Sequence, residues 1–254
     1  MTRSSVAPSP LFLILLAVTV GGGVLSTLDQ NVARTAGIVL LVLGGWAVSL
    51  CLHEFGHAYL AFRNGDYSVR HKGYLTLDIR RYTDPVLSLL LPLLLLAVGG
   101  IPLPGGAVWI DRHALRTRRG ESFVSLAGPM ANLVIGLLLI ATVVLTNPPE
   151  GLAAGLSYLA YLQLFTFVLN ILPIPGLDGF GVIEPYLSYQ AREFGAKARP
   201  WAPFVLFALL IGVPLVGQAF SGAVLWIYGS LGGDIFELFK GQTGFRFWEG
   251  RSPW

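Results

Sequence analysis

The chain has 254 residues, of which 54% are apolar and only 12% charged, with a net charge of +3 and one cysteine. Soluble domains carry about 25% charged residues, so this chain lacks the polar surface that a water-soluble globule of its length needs. The same hydrophobicity excludes a disordered chain. The lone cysteine excludes an internal disulfide or a cysteine-built metal cluster, and the small, dispersed positive charge leaves no footprint for nucleic acid. What remains is an integral membrane protein.

In chain order, the uncharged runs cover 10–28, 35–52 (continuing as an apolar stretch to 62), 85–110, 122–149, 151–177 and 200–233. Each is near or above the roughly 20 residues that cross about 30 Å of hydrocarbon as a helix. The first run lacks a small-x-small cleavage site at its end, so it reads as a retained helix and not as a signal peptide. If 85–110 were a plain span, it would separate two basic loops. One holds Arg63, Arg70, Lys72, Arg80 and Arg81, the other Arg112, Arg116, Arg118 and Arg119. Opposite placement would violate the positive-inside tendency. The second half of that run, 99–110, is rich in Gly and Pro and is expected to be extended. The run is therefore predicted to dip in and return to the same face, which is tolerated only where protein or trapped water satisfies the backbone.

The turn at 147–151 carries no Lys or Arg and is expected outside. The last run has Pro214 and Gly217 near its middle and is expected to split into two short passes. All 17 basic residues except Arg34 would then face the cytoplasm. The expected fold is an all-α polytopic membrane protein of about six transmembrane helices, with a re-entrant, partly extended segment before the helix at 122–145. It forms a single domain over 1–254, with a core at about 35–185 and flanking helices at 10–28 and 200–238.

The second helix contains His53-Glu54-Phe55-Gly56-His57, in a chain with only four histidines. Ionisable groups at membrane depth are costly and point to function by default. Residues i and i+4 share a helix face, so His53 and His57 can address one ion. Glu54 stands beside them. This is the His-Glu-x-x-His arrangement, in which two imidazoles hold zinc and a carboxylate takes a proton from its water. The metal-free alternative pairs the histidines with a neighbouring helix and leaves Glu54 to be neutralised at several kcal/mol.

A catalytic zinc usually takes three protein ligands. His71 and His113 lie in basic loops and read as solvated. Asp178 follows the helix expected at 152–172, beyond the breakers Pro173, Pro175 and Gly176 and before Gly179. The topology brings it to the depth of His53 and His57. Taken alone, its segment fits a solvated aspartate in a Pro-Gly turn equally well.

Three stretches together resemble the site-2 proteases, zinc-dependent intramembrane metalloproteases. His53-Glu54-Phe55-Gly56-His57 resembles that family's His-Glu-x-Gly-His, and Ala127-Gly128-Pro129-Met130-Ala131-Asn132 its Ala-Gly-Pro-x-x-Asn. The stretch from Asn170 to Gly179 resembles its Asn-x-x-Pro-x-Pro-x-Leu-Asp-Gly. The resemblance covers about residues 35–185 and implies one catalytic zinc on His53, His57 and Asp178. It further implies Glu54 as the catalytic base and Asn170 beside the substrate strand.

The expected activity is hydrolysis, by zinc-activated water, of peptide bonds in or near the transmembrane segments of membrane-protein substrates. The expected partners are such a substrate and the lipid bilayer, with no nucleic acid. The expected location is the cell membrane, with the active site toward the cytoplasm. From the residues alone, a transporter or metal-binding membrane protein is the rival, although no paired halves are visible.

Asn132 either supports the active-site backbone or hydrogen-bonds a neighbouring helix, and both readings stand. Gly44, Gly45 and Gly128 read as helix-packing glycines, and Cys51 as a packed thiol. The arginines of 112–119 read as a topology signal and a contact for anionic headgroups. Trp109, Trp201, Trp226 and Trp254 read as interface anchors.

Overall fold

The computed structural model describes residues 8–82 and 108–250, and every regular element among them is helical. Helix α1 spans Pro10–Ser26 and α2 spans Asn31–Asn64; the short α3, Ser68–His71, leads into two 3-10 turns that end at Arg81. After 108 the chain is in no regular element until a 3-10 turn at Arg112–Ala114, which the extended Asp111 caps. Then come α4 (Arg118–Thr146), α5 (Glu150–Asn170) and α6 (Asp178–Ile183), followed by α7 (Tyr189–Ala198), α8 (Ala202–Gly212), α9 (Pro214–Ser230) and α10 (Ile235–Phe245).

Local chemistry fixes most of these boundaries. Ser9 caps α1 by accepting from the Phe12 N–H, with Pro10 in the first turn, where its missing donor costs nothing. Thr117 caps α4 through the Gly120 N–H. That helix ends on Asn147 in the left-handed region, ahead of Pro148 and Pro149, which cannot continue it. Asp234 caps α10 through the N–H groups of Phe236 and Glu237.

Three described helices are long and apolar enough to cross a membrane: α2, α4 and α5, of 34, 29 and 21 residues. At 1.5 Å per residue each exceeds the roughly 30 Å hydrocarbon thickness. The chain is a membrane protein, all-helical among its described residues. Helix α1, at 17 residues, falls just short, and α7 and α8 form a pair bent by 60°. Helix α5 is the central one, with 78% of its most apolar window buried against 28% in α4. The outward face of α4 presents Leu138, Val144 and Leu145. In lipid, apolar burial gives little drive to helix association, and close backbone approach takes its place. Gly37 illustrates this, because a Cβ there would collide with the backbone of Leu25 and Ser26 in α1.

The bundle has two ends. The near end carries α3 and its turns, tied to the start of α1 by the Ser9 N–H donating to the Thr76 carbonyl (2.8 Å). The far end carries the turns at 27–30 and 147–149, where Arg34 pairs with Asp29 (3.2 Å) and Glu150 (3.6 Å).

The last apolar run breaks at Val213, between α8 and α9, but it does not return to the near end as two passes. Helix α9 runs antiparallel to α5: Phe220 meets Phe165 (4.9 Å between centroids), and Tyr228 meets Tyr161 (6.3 Å). This delivers α10 to the far end, where Lys240 pairs with Glu150 and Phe245 stacks near Tyr158. The expectation that every basic residue except Arg34 shares one face therefore fails at Lys240. Its charge is met by Glu150 and Glu237, pairing that a count of lysines and arginines does not see. The proposed re-entrant run 85–110 lies outside the described residues except for 108–110, which are in no regular element.

Candidate metal centre

His53 and His57 sit in the last third of α2, buried, with their rings 4.8 Å apart and nearly perpendicular. Asp178 reaches them from the first position of α6. Between α5 and α6, the chain folds back with Gly176 in the left-handed region (φ 97°). Gly179 lies so close to the Ile171 and Leu172 carbonyls that a Cβ would collide with them. That close return turns Asp178 toward the two histidines. Its carboxylate stands 3.2 Å from His53 Nε2 and 3.4 Å from His57 Nε2, and the two Nε2 atoms are 3.1 Å apart.

The outer nitrogens decide the chemistry of the inner ones. His57 Nδ1 lies 2.7 Å from the Val124 carbonyl, which can only accept, so Nδ1 carries a proton and, in the neutral ring, Nε2 a lone pair. His53 Nδ1 lies 2.6 Å from Asn132 Oδ1 and donates likewise. With both rings neutral, two lone pairs and a carboxylate converge here, an arrangement that a cation relieves.

The spacing fits zinc. A tetrahedral ion with ligand bonds of about 2.0–2.1 Å has ligand–ligand edges of about 3.3 Å; the two Nε2 atoms are 3.1 Å apart, and Asp178 offers Oδ2 at 3.2 Å from His53 and Oδ1 at 3.4 Å from His57. Space fits as well. A Cβ on Gly128 of α4 would fall between the two Nε2 atoms, so the missing side chain leaves an ion's place open. Gly128 is thus more than a packing glycine. Among the described residues, His53, His57 and Asp178 are the group able to hold a metal.

These residues open onto a cavity of about 510 Å³, lined also by Glu54, Asn132, Thr166 and Asn170. Glu54 is buried, and its Oε2 accepts from the Val108 N–H at 3.0 Å. Residues 108–111 form one wall. On their other side, the Trp109 carbonyl accepts from Lys72 Nζ (2.8 Å) and the Asp111 N–H donates to Asp66 (2.8 Å). Asn132 does hydrogen-bond a neighbouring helix: it donates to Gln163 of α5 (2.7 Å) while accepting from His53.

His113 lies at the cavity wall and His71 is exposed at the end of α3, neither within the metal group; Cys51 is buried elsewhere in α2. Arg112, expected to contact headgroups, is exposed and pairs with Glu121 and Glu184, and Glu184 also pairs with Arg199. Trp109, Trp201 and Trp226 are exposed, as interface anchors would be, and Trp254 lies outside the described residues. Sequence reasoning did not single out Val124, Val108, Ser49 or Gln163. Only Gln163, a lone amide in an apolar helix, carried a visible signal.

A donor set of two histidines from one helix and an aspartate from another, with a glutamate beside them, defines a metallohydrolase-type centre inside a helical membrane protein. Known sequences agree. The chain is 44% identical over 251 residues to the candidate zinc metalloprotease Rip2 of Mycolicibacterium smegmatis, covering 97% of this chain and 96% of that one. It is 46% identical over 251 residues, with the same coverage, to Rip2 of Mycobacterium tuberculosis H37Rv. To the candidate zinc metalloprotease YwhC of Bacillus subtilis it is 30% identical over 204 residues, 76% of this chain and 88% of that protein. No family model and no solved structure matches. The chain belongs to the site-2 protease family of zinc metalloproteases.

Proposed function

We propose that this protein is an intramembrane zinc endopeptidase that cleaves peptide bonds in or beside the transmembrane segments of membrane-protein substrates. The observation that carries the reading is the convergence of His53 Nε2, His57 Nε2 and the Asp178 carboxylate, whose donor atoms lie within 4.8 Å of one another, a donor set that suits zinc. His53 and His57 would hold the ion through Nε2, and Asp178 through its carboxylate. A zinc ion held there supplies a Lewis acid that polarises the scissile carbonyl and acidifies water.

The remaining chemistry falls to the chain's own groups. Glu54 keeps one carboxylate oxygen on the Val108 N–H, which orients the other to take the proton of the attacking water and return it to the leaving nitrogen. The Trp109 carbonyl and the Asp111 N–H anchor one edge of 108–111 to Lys72 and Asp66, and the Val108 N–H on the other edge meets Glu54. An unwound substrate strand would pair along that second edge, with Asn170 across the cavity to position it. We read the chain as one membrane-embedded peptidase domain, with its centre toward the cytoplasmic face of the cell membrane.

The test uses protein purified in detergent, assayed for bound zinc and for cleavage of a model transmembrane substrate. One zinc per chain with cleavage is the expected result. Glu54→Gln should keep the zinc and lose cleavage, because the base goes and the ligands stay. Zinc binding without any cleavage by the wild type would instead favour metal transport or storage.

A further inference from the structure

Beneath His53 a chain of buried polar groups crosses three helices. His53 Nδ1 meets Asn132 Oδ1 (2.6 Å), Asn132 Nδ2 donates to Gln163 Oε1 (2.7 Å), and Gln163 Nε2 donates to Ser49 Oγ (3.0 Å). The Ser49 hydroxyl donates in turn to the Trp46 carbonyl (2.7 Å). Gln163 is fully buried, and Ser49 and Asn132 are 3% exposed. In such surroundings an unmade bond leaves a polar group desolvated without a partner, so the groups must be mutually satisfied.

The last acceptor gives the chain its direction. A backbone carbonyl cannot donate, so the Ser49 proton points to Trp46 and the Ser49 oxygen is left to accept. Gln163 therefore presents its oxygen to Asn132, and Asn132 presents its oxygen to His53. An oxygen there demands a proton on Nδ1 and leaves the lone pair on Nε2, facing His57 and Asp178. His57 needs no such relay, because the Val124 carbonyl meets it directly.

We propose that Ser49 and Gln163 are positioning residues for the metal: acting through Asn132, they fix the tautomer and ring orientation of His53. The inference rests on the zinc reading above. Outer-shell partners of metal-bound histidines set ligand basicity and orientation, and their loss lowers affinity about 10–100-fold. Here the outer shell extends two residues further than the group in contact with the histidine, back to the helix that carries the ligand itself.

The experiment measures zinc affinity by chelator competition on the full-length protein in detergent, together with the visible absorption bands of the cobalt-loaded form. Gln163→Leu should weaken zinc binding about tenfold and shift the cobalt bands while still reaching one metal per chain at saturation. Ser49→Ala, a mild change for a helix, should shift the same bands and weaken zinc by a smaller factor. Ser49→Thr, which brings back a hydroxyl, should recover the wild-type spectrum. Should Gln163→Leu fail to fold, the Ser49 pair decides the matter. Wild-type affinity and spectrum in Ser49→Ala would overturn the relay and leave the zinc reading standing. A wild-type protein that binds no zinc would overturn both.

Discussion

Asp178 is the side chain on which the whole centre turns. Two neutral imidazoles leave the charge of a divalent ion uncompensated in a low-dielectric interior, and the Asp178 carboxylate supplies the nearest counter-charge. Asp178→Asn keeps the shape and removes that charge, and an amide oxygen is a poorer donor. Zinc affinity should fall by more than the 10–100-fold that loss of an outer-shell partner costs, and cleavage should fall with it. Asn170 lines the same cavity without belonging to the metal group. Asn170→Ala should keep full zinc content and lose turnover on the transmembrane substrate. Metal analysis beside the cleavage assay separates the two, and full zinc and activity in the Asp178 variant would send the search for a third ligand elsewhere.

Among the elements, α4 does most to shape the centre. Its Ala127-Gly128-Pro129 turn passes directly beneath α2, with Gly56 against the Ala127 carbonyl. Pro129 lacks the N–H that would bond the carbonyl of residue 125, which loosens the helix one turn beyond Val124. Val124 then supports His57, Asn132 supports His53, and Gly128 leaves the gap between them. Elsewhere in a helix, Gly→Ala stabilises by about 0.8–1 kcal/mol. At position 128 the added methyl must instead displace both imidazoles, an overpacking that costs about 1–3 kcal/mol. Gly128→Ala should therefore abolish stoichiometric zinc binding and lower the thermal midpoint of the metal-free protein. A variant that still binds one zinc at wild-type affinity would show that the space is not the ion's.

For the whole molecule the decisive feature is which end each segment reaches. Basic residues of α3 and its turns cluster at the near end, while Arg34 and Lys240 lie at the far end, each paired with Glu150. With the near end cytoplasmic, reporters inserted after Lys72 and after Arg118 should both report cytoplasm. One between Asn147 and Gly151 should lie outside. A reporter fused after Gly250 should also lie outside, because α9 carries the chain to the far end. A cytoplasmic signal there would mean that the last apolar run turns back on itself, and the packing of α10 on the start of α5 would then be wrong.

The sequence by itself determined the solvent, the helical class and the chemistry-bearing residues. Low charge and long apolar runs admit only lipid as surroundings, and backbone groups in lipid close upon themselves as helices. His53, Glu54 and His57 were legible because an i, i+4 pair is a local relation that the helix period guarantees. Their Nδ1 supports, the inward turn of Asp178 and the gap at Gly128 were not, because each depends on how close α2, α4, α5 and α6 come to one another. Gln163 and Ser49 stand 114 positions apart, and no spacing rule joins them. The path of the last run was decided the same way. Counting Lys and Arg treats each charge as free, whereas Lys240 is paired with Glu150, a partner that only the folded chain brings alongside.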